Sequence, residues 1–149
     1  MATIRRSAVV PYSASEMYAL VADIEAYPQF LPWCGGARIL GRGEDVVEAA
    51  ITIAYHGVHK TFSTRNLLQK DKMMEMRLLD GPFRHLHGYW RFTALDAQGC
   101  KVELDLEFEV ASRLVAAVLN PVFSNIANQM VDAFHRRAVQ LYGPRRLAP

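Results

Sequence analysis

His85 and His87 stand two residues apart, and on an extended strand that spacing puts both imidazoles on one face. A catalytic zinc needs a third protein ligand, and no residue near the pair has recognisable ligand spacing, so a solvated pair is the expectation. His56 and His59 flank a turn and read the same way. Cys34 lies in an aromatic segment with no base beside it in sequence, which suits a buried, inert thiol rather than a nucleophile. Glu103, Asp105, Glu107 and Glu109 could be taken for an acid–base carboxylate pair. Same-face carboxylates on a solvent-facing strand more simply keep a surface wet. Gly41-Arg42-Gly43 is a lone GxG, read as a turn rather than a phosphate loop, and the chain has no GxSxG nucleophile elbow. These residues point to no catalytic group, no metal and no resident cofactor.

Binding offers more. The residues that could line an apolar ligand cavity are Tyr27, Phe30, Leu31, Trp33, Phe62, Trp90, Phe92, Phe108, Leu114, Val118, Phe123, Met130 and Phe134. Aromatic rings supply flat apolar walls, and methionine adapts to an irregular ligand. The same side chains could fill a dry core, and residue type alone leaves both readings open. Gly88, on the inner face of the 85–95 strand, is a further candidate wall position, where a large substitution would fill the space.

What positions these side chains is legible from periodicity. Residues 3–10 read as a strand ended by Pro11. Ser13, with Glu16 three residues on, is a capping box, and Tyr12 and Met17 stand at the staple positions around it. Met17, Leu20, Val21 and Ile24 follow at helical spacing. The segment Tyr27 to Cys34 is aromatic, bracketed by Pro28 and Pro32, and ended by Gly35-Gly36. Strands are expected at 37–41, 46–55, 59–68, 73–79, 85–95 and 100–110, parted by turn signals at Gly41-Arg42-Gly43, His56-Gly57 and Asp80-Gly81-Pro82.

The strand at 100–110 alternates without a fault: Val102, Leu104, Leu106, Phe108 and Val110 against the four acids. Such alternation places one face on a core and the other in water. Its neighbour offers Leu86, Gly88, Trp90, Phe92 and Ala94 inward, with His85, His87, Tyr89 and Arg91 outside. A long helix then starts at Ser112 as N-cap and runs to Tyr142, stopped by Gly143-Pro144. Its stripe is Val122, Ile126, Met130, Phe134, Ala138 and Leu141, and Pro121 should bend it. An antiparallel sheet this long must curl, and only this helix can cover its apolar face.

The chain has 149 residues, 51% hydrophobic and 21% charged, which suits one domain spanning 1–149. Two cysteines without CxxC spacing fit a reducing compartment. No uninterrupted apolar run approaches a membrane span or a signal-peptide core, so a soluble, cytoplasmic protein is expected. The net charge of +2 is unevenly spread. Arg113, Arg136, Arg137, Arg145 and Arg146 face only Asp132 in the last stretch, while Lys101 is the one base among the acids of 96–110. Solvated faces explain this; so would a docking surface for RNA or anionic lipid. For Arg145 and Arg146, a frayed tail past the helix stop is the plain reading.

Two segments carry a likeness: Tyr27-Pro28-Gln29-Phe30-Leu31-Pro32-Trp33-Cys34, and Asn120-Pro121-Val122-Phe123 followed by Ala133-Phe134-His135-Arg136-Arg137-Ala138. With the order of elements, they resemble the START-like coenzyme Q-binding family over roughly residues 3–143. The resemblance implies an α+β helix-grip (START/Bet v 1-like) fold, a curled antiparallel sheet around a long C-terminal helix. It implies non-catalytic binding of ubiquinone or another polyprenyl quinone in a cavity between sheet and helix, supporting respiration. Some bacterial members are described as toxins that bind the large ribosomal subunit and block subunit joining, which is the alternative. Related helix-grip domains include polyketide cyclases, a third. The implied partners are a polyprenyl quinone or similar lipid, the large ribosomal subunit, and a membrane surface in transient contact.

Overall fold

The computed structural model describes residues 1–147 as one sheet gripping one long helix. Ala148 and Pro149, the end of the expected domain, lie outside the described residues. The strands are β1 (Ala2–Val10), β2 (Cys34–Gly43), β3 (Val46–Tyr55), β4 (Val58–Gln69), β5 (Met73–Asp80), β6 (Phe83–Ala94) and β7 (Cys100–Val110). Helix α1 (Ala14–Ala22) and a 3-10 helix (Ile24–Gln29) follow β1, and α2 (Arg113–Tyr142) closes the chain. The sheet order is β1-β7-β6-β5-β4-β3-β2, antiparallel at every step. Pairing the first strand with the last brings the two ends of the chain together on one flank.

The capping box forms as its residues predict. Ser13 Oγ accepts from the Glu16 amide at 3.1 Å, and Glu16 Oε1 accepts from the Ser13 amide at 2.9 Å. Tyr12 and Met17 are both buried. On β7 the five alternating apolar side chains are all buried, and three of the acids opposite, Asp105, Glu107 and Glu109, have basic or phenolic partners. Asp105 accepts from Arg5 Nε at 3.1 Å and from Tyr89 Oη at 2.9 Å, and Glu109 from Arg84 at 3.4 Å.

Several boundaries differ from the sequence expectation. Gly35-Gly36 does not end the aromatic segment; it lies inside β2, which is bulged between Cys34 and Gly36 and again between Ile39 and Gly41. A side chain at Gly35 would sit 2.9 Å from Ala54 Cβ, so the bulge is a close approach of strands rather than a turn. Gly41-Arg42-Gly43 belongs to β2 as well. The reversal comes at Glu44-Asp45, with Asp45 in the left-handed region at φ 55°. Ser112 holds the extended N-cap backbone, but its hydroxyl makes no capping bond. Gly88 faces β7 rather than open space: a Cβ there would overlap the Asp105 carbonyl oxygen and stand 2.9 Å from Leu106 Cα. It is a site of strand contact, not a wall that can be enlarged.

Helix α2 packs along β1 and β7, against α1 and over β4. Leu119, Phe123, Ile126, Ala127, Val131, Phe134 and Ala138 form its buried stripe. By length and mean hydropathy alone α2 could cross a membrane, which the absence of an unbroken apolar run had not suggested. Here its stripe is spent on the sheet. Its far end is tied down by Tyr12 Oη, which donates to the Gly143 carbonyl at 2.7 Å.

Candidate functional site

The concave face of the sheet and α2 do not close completely on each other. Between them lies an apolar cavity of about 80 Å³. The 3-10 helix contributes Ile24 and Tyr27, the loop after it Trp33, and α2 contributes Phe123, Ile126, Ala127 and Met130. From the sheet come Ile51, Phe62, Thr64, Asn66, Met74, Met76, Leu86, Trp90, Leu104 and Leu106. Ile51, Met76 and Met130 are only half buried and mark the side where the cavity meets solvent.

Of the residues expected to line a cavity, Tyr27, Trp33, Phe62, Trp90, Phe123 and Met130 do so. Phe134, Phe92 and Phe108 are buried but stand behind the wall. Phe134 meets Trp90, Tyr27 and Phe30 edge-on at ring separations of 5.3, 5.4 and 5.1 Å. Phe92 packs on Trp90 and Tyr18, and Phe108 on Phe83 and Phe123. Phe30 and Leu31 line a separate shallow hollow with Arg136 and Arg137. There the Arg137 guanidinium lies 4.8 Å from the Phe30 ring centroid and donates to Gln29 Oε1 at 2.8 Å.

Leu114 and Val118 correct the expectation outright. They are 87% and 58% exposed, on the outer side of the first turns of α2. An all-round apolar start to a helix does not say which side meets the sheet; Leu119, one position on, is fully buried, and Val115 and Ala116 are partly so. The reading by aromatic residues also passed over the β4–β5 wall. Thr64, Asn66, Met74 and Met76 were findable from period-two alternation, since Phe62, Thr64 and Asn66 share one face of β4.

Asn66 and Thr64 are the buried polar residues among those described. Thr64 Oγ1 donates to Asn66 Oδ1 at 3.0 Å. Tyr27 is also wholly interior; its hydroxyl donates to the Val21 carbonyl, and burial pushes its pKa far above the ordinary phenol range, so it stays protonated. No wall group is therefore an ionised acid or base, and the cavity can present hydrogen bonds and dispersion but no charge.

The residues weighed for chemistry lie elsewhere. His85 and His87 are on the outer face of β6, as their alternation requires, with rings 6.5 Å apart. His87 Nε2 is 2.7 Å from Glu75 Oε2, and His85 Nε2 is 3.5 Å from Glu107. Among the described residues, no three His, Cys, Asp or Glu side chains gather as a metal ion would need. Cys34 and Cys100 are free and buried. Burial pushes the Cys34 thiol up, and burial followed by the Glu16 charge pushes that of Cys100 up to about 11.

The C-terminal arginines are not a free cluster. Arg145 forms a two-pronged pair with Glu16 at 2.7 and 2.9 Å and lies over the Tyr12 ring, so it is not a frayed tail. Arg136 and Arg146 remain exposed.

Set beside known proteins, this architecture has close company. A chain 47% identical over 140 residues, covering 94% of this chain and 97% of its own length, is the ribosome association toxin RatA of Pseudomonas aeruginosa. A more distant relative, 28% identical over 92% of this chain and 58% of its own length, is the mitochondrial coenzyme Q-binding protein COQ10 homolog B of Xenopus laevis. The crystal structure of Zhui aromatase/cyclase from Streptomyces sp. R1128 superposes with a TM-score of 0.81 at 20% identity, covering 97% of this chain and 99% of that one. That last likeness speaks for the fold. The sequence profile described as polyketide cyclase / dehydrase and lipid transport matches residues 10–135. With most of its length matched and its seven-stranded grip in place, the chain belongs to that polyketide cyclase/dehydrase and lipid transport family, the START-like group its sequence resembles.

Proposed function

We propose that this protein works by binding an apolar, quinone-like lipid in the cavity between its sheet and α2, without catalysing a reaction. The observation that carries this reading is the wall itself: aliphatic, aromatic and methionine side chains from five strands, the 3-10 segment and α2, with no ionised group to act as acid or base. The coenzyme Q-binding name of the Xenopus relative supports the same ligand class. At about 80 Å³ the cavity is smaller than the roughly 300 Å³ or more of a typical small-molecule site. A prenyl tail therefore enters only as Met74, Met76 and Met130 swing aside, which their unbranched thioethers allow at low cost.

Both tryptophans of the chain, Trp33 and Trp90, line the cavity, so the whole tryptophan emission reports on it. Titration with decylubiquinone should quench that emission saturably, and Ala127→Leu, which fills the space from α2, should weaken the quench. Quenching no greater than that of free tryptophan would remove this reading.

A second reading is favoured by the RatA relative at 47% identity over nearly the full chain. In it the protein docks on the large ribosomal subunit from the cytoplasm, with a surface rather than the cavity. Of the pairs Arg136-Arg137 and Arg145-Arg146, the two left for ribosomal RNA are Arg136 and Arg146, because Arg137 and Arg145 are engaged within the molecule. Co-sedimentation with the large subunit should fall steeply with salt as phosphate contacts release counterions. Arg136→Glu with Arg146→Glu should reduce it, and Ala127→Leu should not. Wild-type protein that stays at the top of a low-salt gradient would refute docking.

A further inference from the structure

Asn66 is 3% exposed, in the middle of a wall otherwise made of hydrocarbon, sulfur and aromatic rings. Its side-chain oxygen is accounted for, since it accepts the Thr64 hydroxyl at 3.0 Å. Its amide nitrogen carries two further donors, and no group among the described residues accepts from them. Among the described residues, the side-chain polar atom that is shut off from solvent and makes no hydrogen bond is His85 Nε2, and Asn66 Nδ2 is not such an atom. Asn66 Nδ2 is thus not walled in by packed atoms; it borders open volume, and the open volume beside it is the cavity.

A buried amide with unused donors destabilises a fold, and an apolar residue of similar size would pack there without that cost. Thr64 adds a second polar group whose only visible task is to hold the Asn66 amide in one orientation, oxygen toward the hydroxyl and nitrogen toward the space. Both residues sit on the inner face of β4, Asn66 opposite Val47 and Met76 and Thr64 opposite Ala49 and Leu78, so the sheet pairing on both sides fixes them.

We infer that Asn66 is the polar anchor of the cavity, donating a hydrogen bond to a carbonyl oxygen of the bound ligand, with Thr64 as its positioning residue. This rests on the lipid-binding reading above and narrows it. The ligand is an apolar molecule that carries a neutral acceptor oxygen, such as a quinone ring, on its leading end. A plain hydrocarbon leaves the donor unused. A carboxylate finds no positive charge on the wall.

The test compares decylubiquinone with decylbenzene, which has the same tail but no carbonyl, by displacement of 1-anilinonaphthalene-8-sulfonate from the full-length protein. Asn66→Leu should weaken decylubiquinone roughly five- to tenfold, the value of one lost hydrogen bond, and leave decylbenzene within about twofold. Carbonyl-labelled decylubiquinone should show a lowered infrared stretch when bound to wild type, returning toward the free value in Asn66→Leu. Thr64→Val should shift both readouts in the same direction by less, and it carries the test should Asn66→Leu fail to fold. Unchanged affinities and an unchanged stretch in both variants would overturn this inference while leaving the cavity reading intact. Failure of wild type to bind either probe would overturn the cavity reading and this one with it.

Discussion

Replacing Phe134 by alanine removes a side chain that joins α2 to both the sheet and the aromatic segment. The ring is fully buried and meets three others edge-on, Trp90 from β6, Tyr27 from the 3-10 segment and Phe30 beyond it. Truncating a buried phenylalanine costs about 3–5 kcal/mol, the larger values applying where the surroundings cannot collapse into the void. Collapse is hindered here because Trp90 and Tyr27 are already braced across the existing cavity, so the new space joins the old one instead of closing. Edge-on aromatic pairs add about 0.5–1.5 kcal/mol each beyond area burial, which also favours the upper end. A loss near 4–5 kcal/mol, at roughly 2–4 °C per kcal/mol for a domain of this size, lowers Tm by about 8–20 °C. Calorimetry or circular dichroism on the purified variant reads it directly. A Tm within about 3 °C of wild type would refute the packing of α2 on Trp90. Because the void opens toward the cavity, Phe134→Ala should also retain decylubiquinone binding at temperatures where it remains folded.

Two further outcomes follow from groups away from the cavity. Cys34 and Cys100 are buried with thiols held above their ordinary range, so native protein near pH 8 should react with Ellman's reagent only as fast as it opens, and both should react at once in denaturant; prompt labelling of either in native buffer would contradict the burial. The Arg145 guanidinium beside Glu16, together with its bonds from Ser13, holds the Glu16 carboxyl below the usual glutamate range. A lowered folded-state pKa gives stability that is present above the unfolded pKa and lost as pH falls through the folded one. Glu16→Gln, which can still serve the capping box, should therefore cost about 0.5–1 kcal/mol at neutral pH and flatten the acid limb of the stability curve below about pH 5. An acid limb identical to that of wild type would place the loss elsewhere.

Much of this architecture is determined by local pattern. Period-two alternation along 100–110 settles which side of β7 is interior, because a one-residue slip would turn every acid into the core. Ser13 and Glu16 start α1 wherever they stand, since a capping box closes within four residues and needs no partner from afar. Gly143-Pro144 stops α2 in the same local way.

The site was decided in three dimensions. Nothing within Leu114–Leu119 says that Leu119 turns inward while Leu114 and Val118 face solvent; the sheet beneath chooses, since only one side of a helix can lie on it. Phe134 and Phe30 resemble Trp90 and Phe62 as residues, yet they lie outside the cavity because the void is where packing fails to fill, a sum over elements distant in the chain. Arg145 looks like a loose tail until the fold brings β1, α1 and the end of α2 together and sets Glu16 beneath it. Alternation places Asn66 on the inner face of β4 but does not say what an amide does there. Its meaning comes from what surrounds it: an amide that water would satisfy at the surface has, inside an apolar cavity, donors left for a ligand.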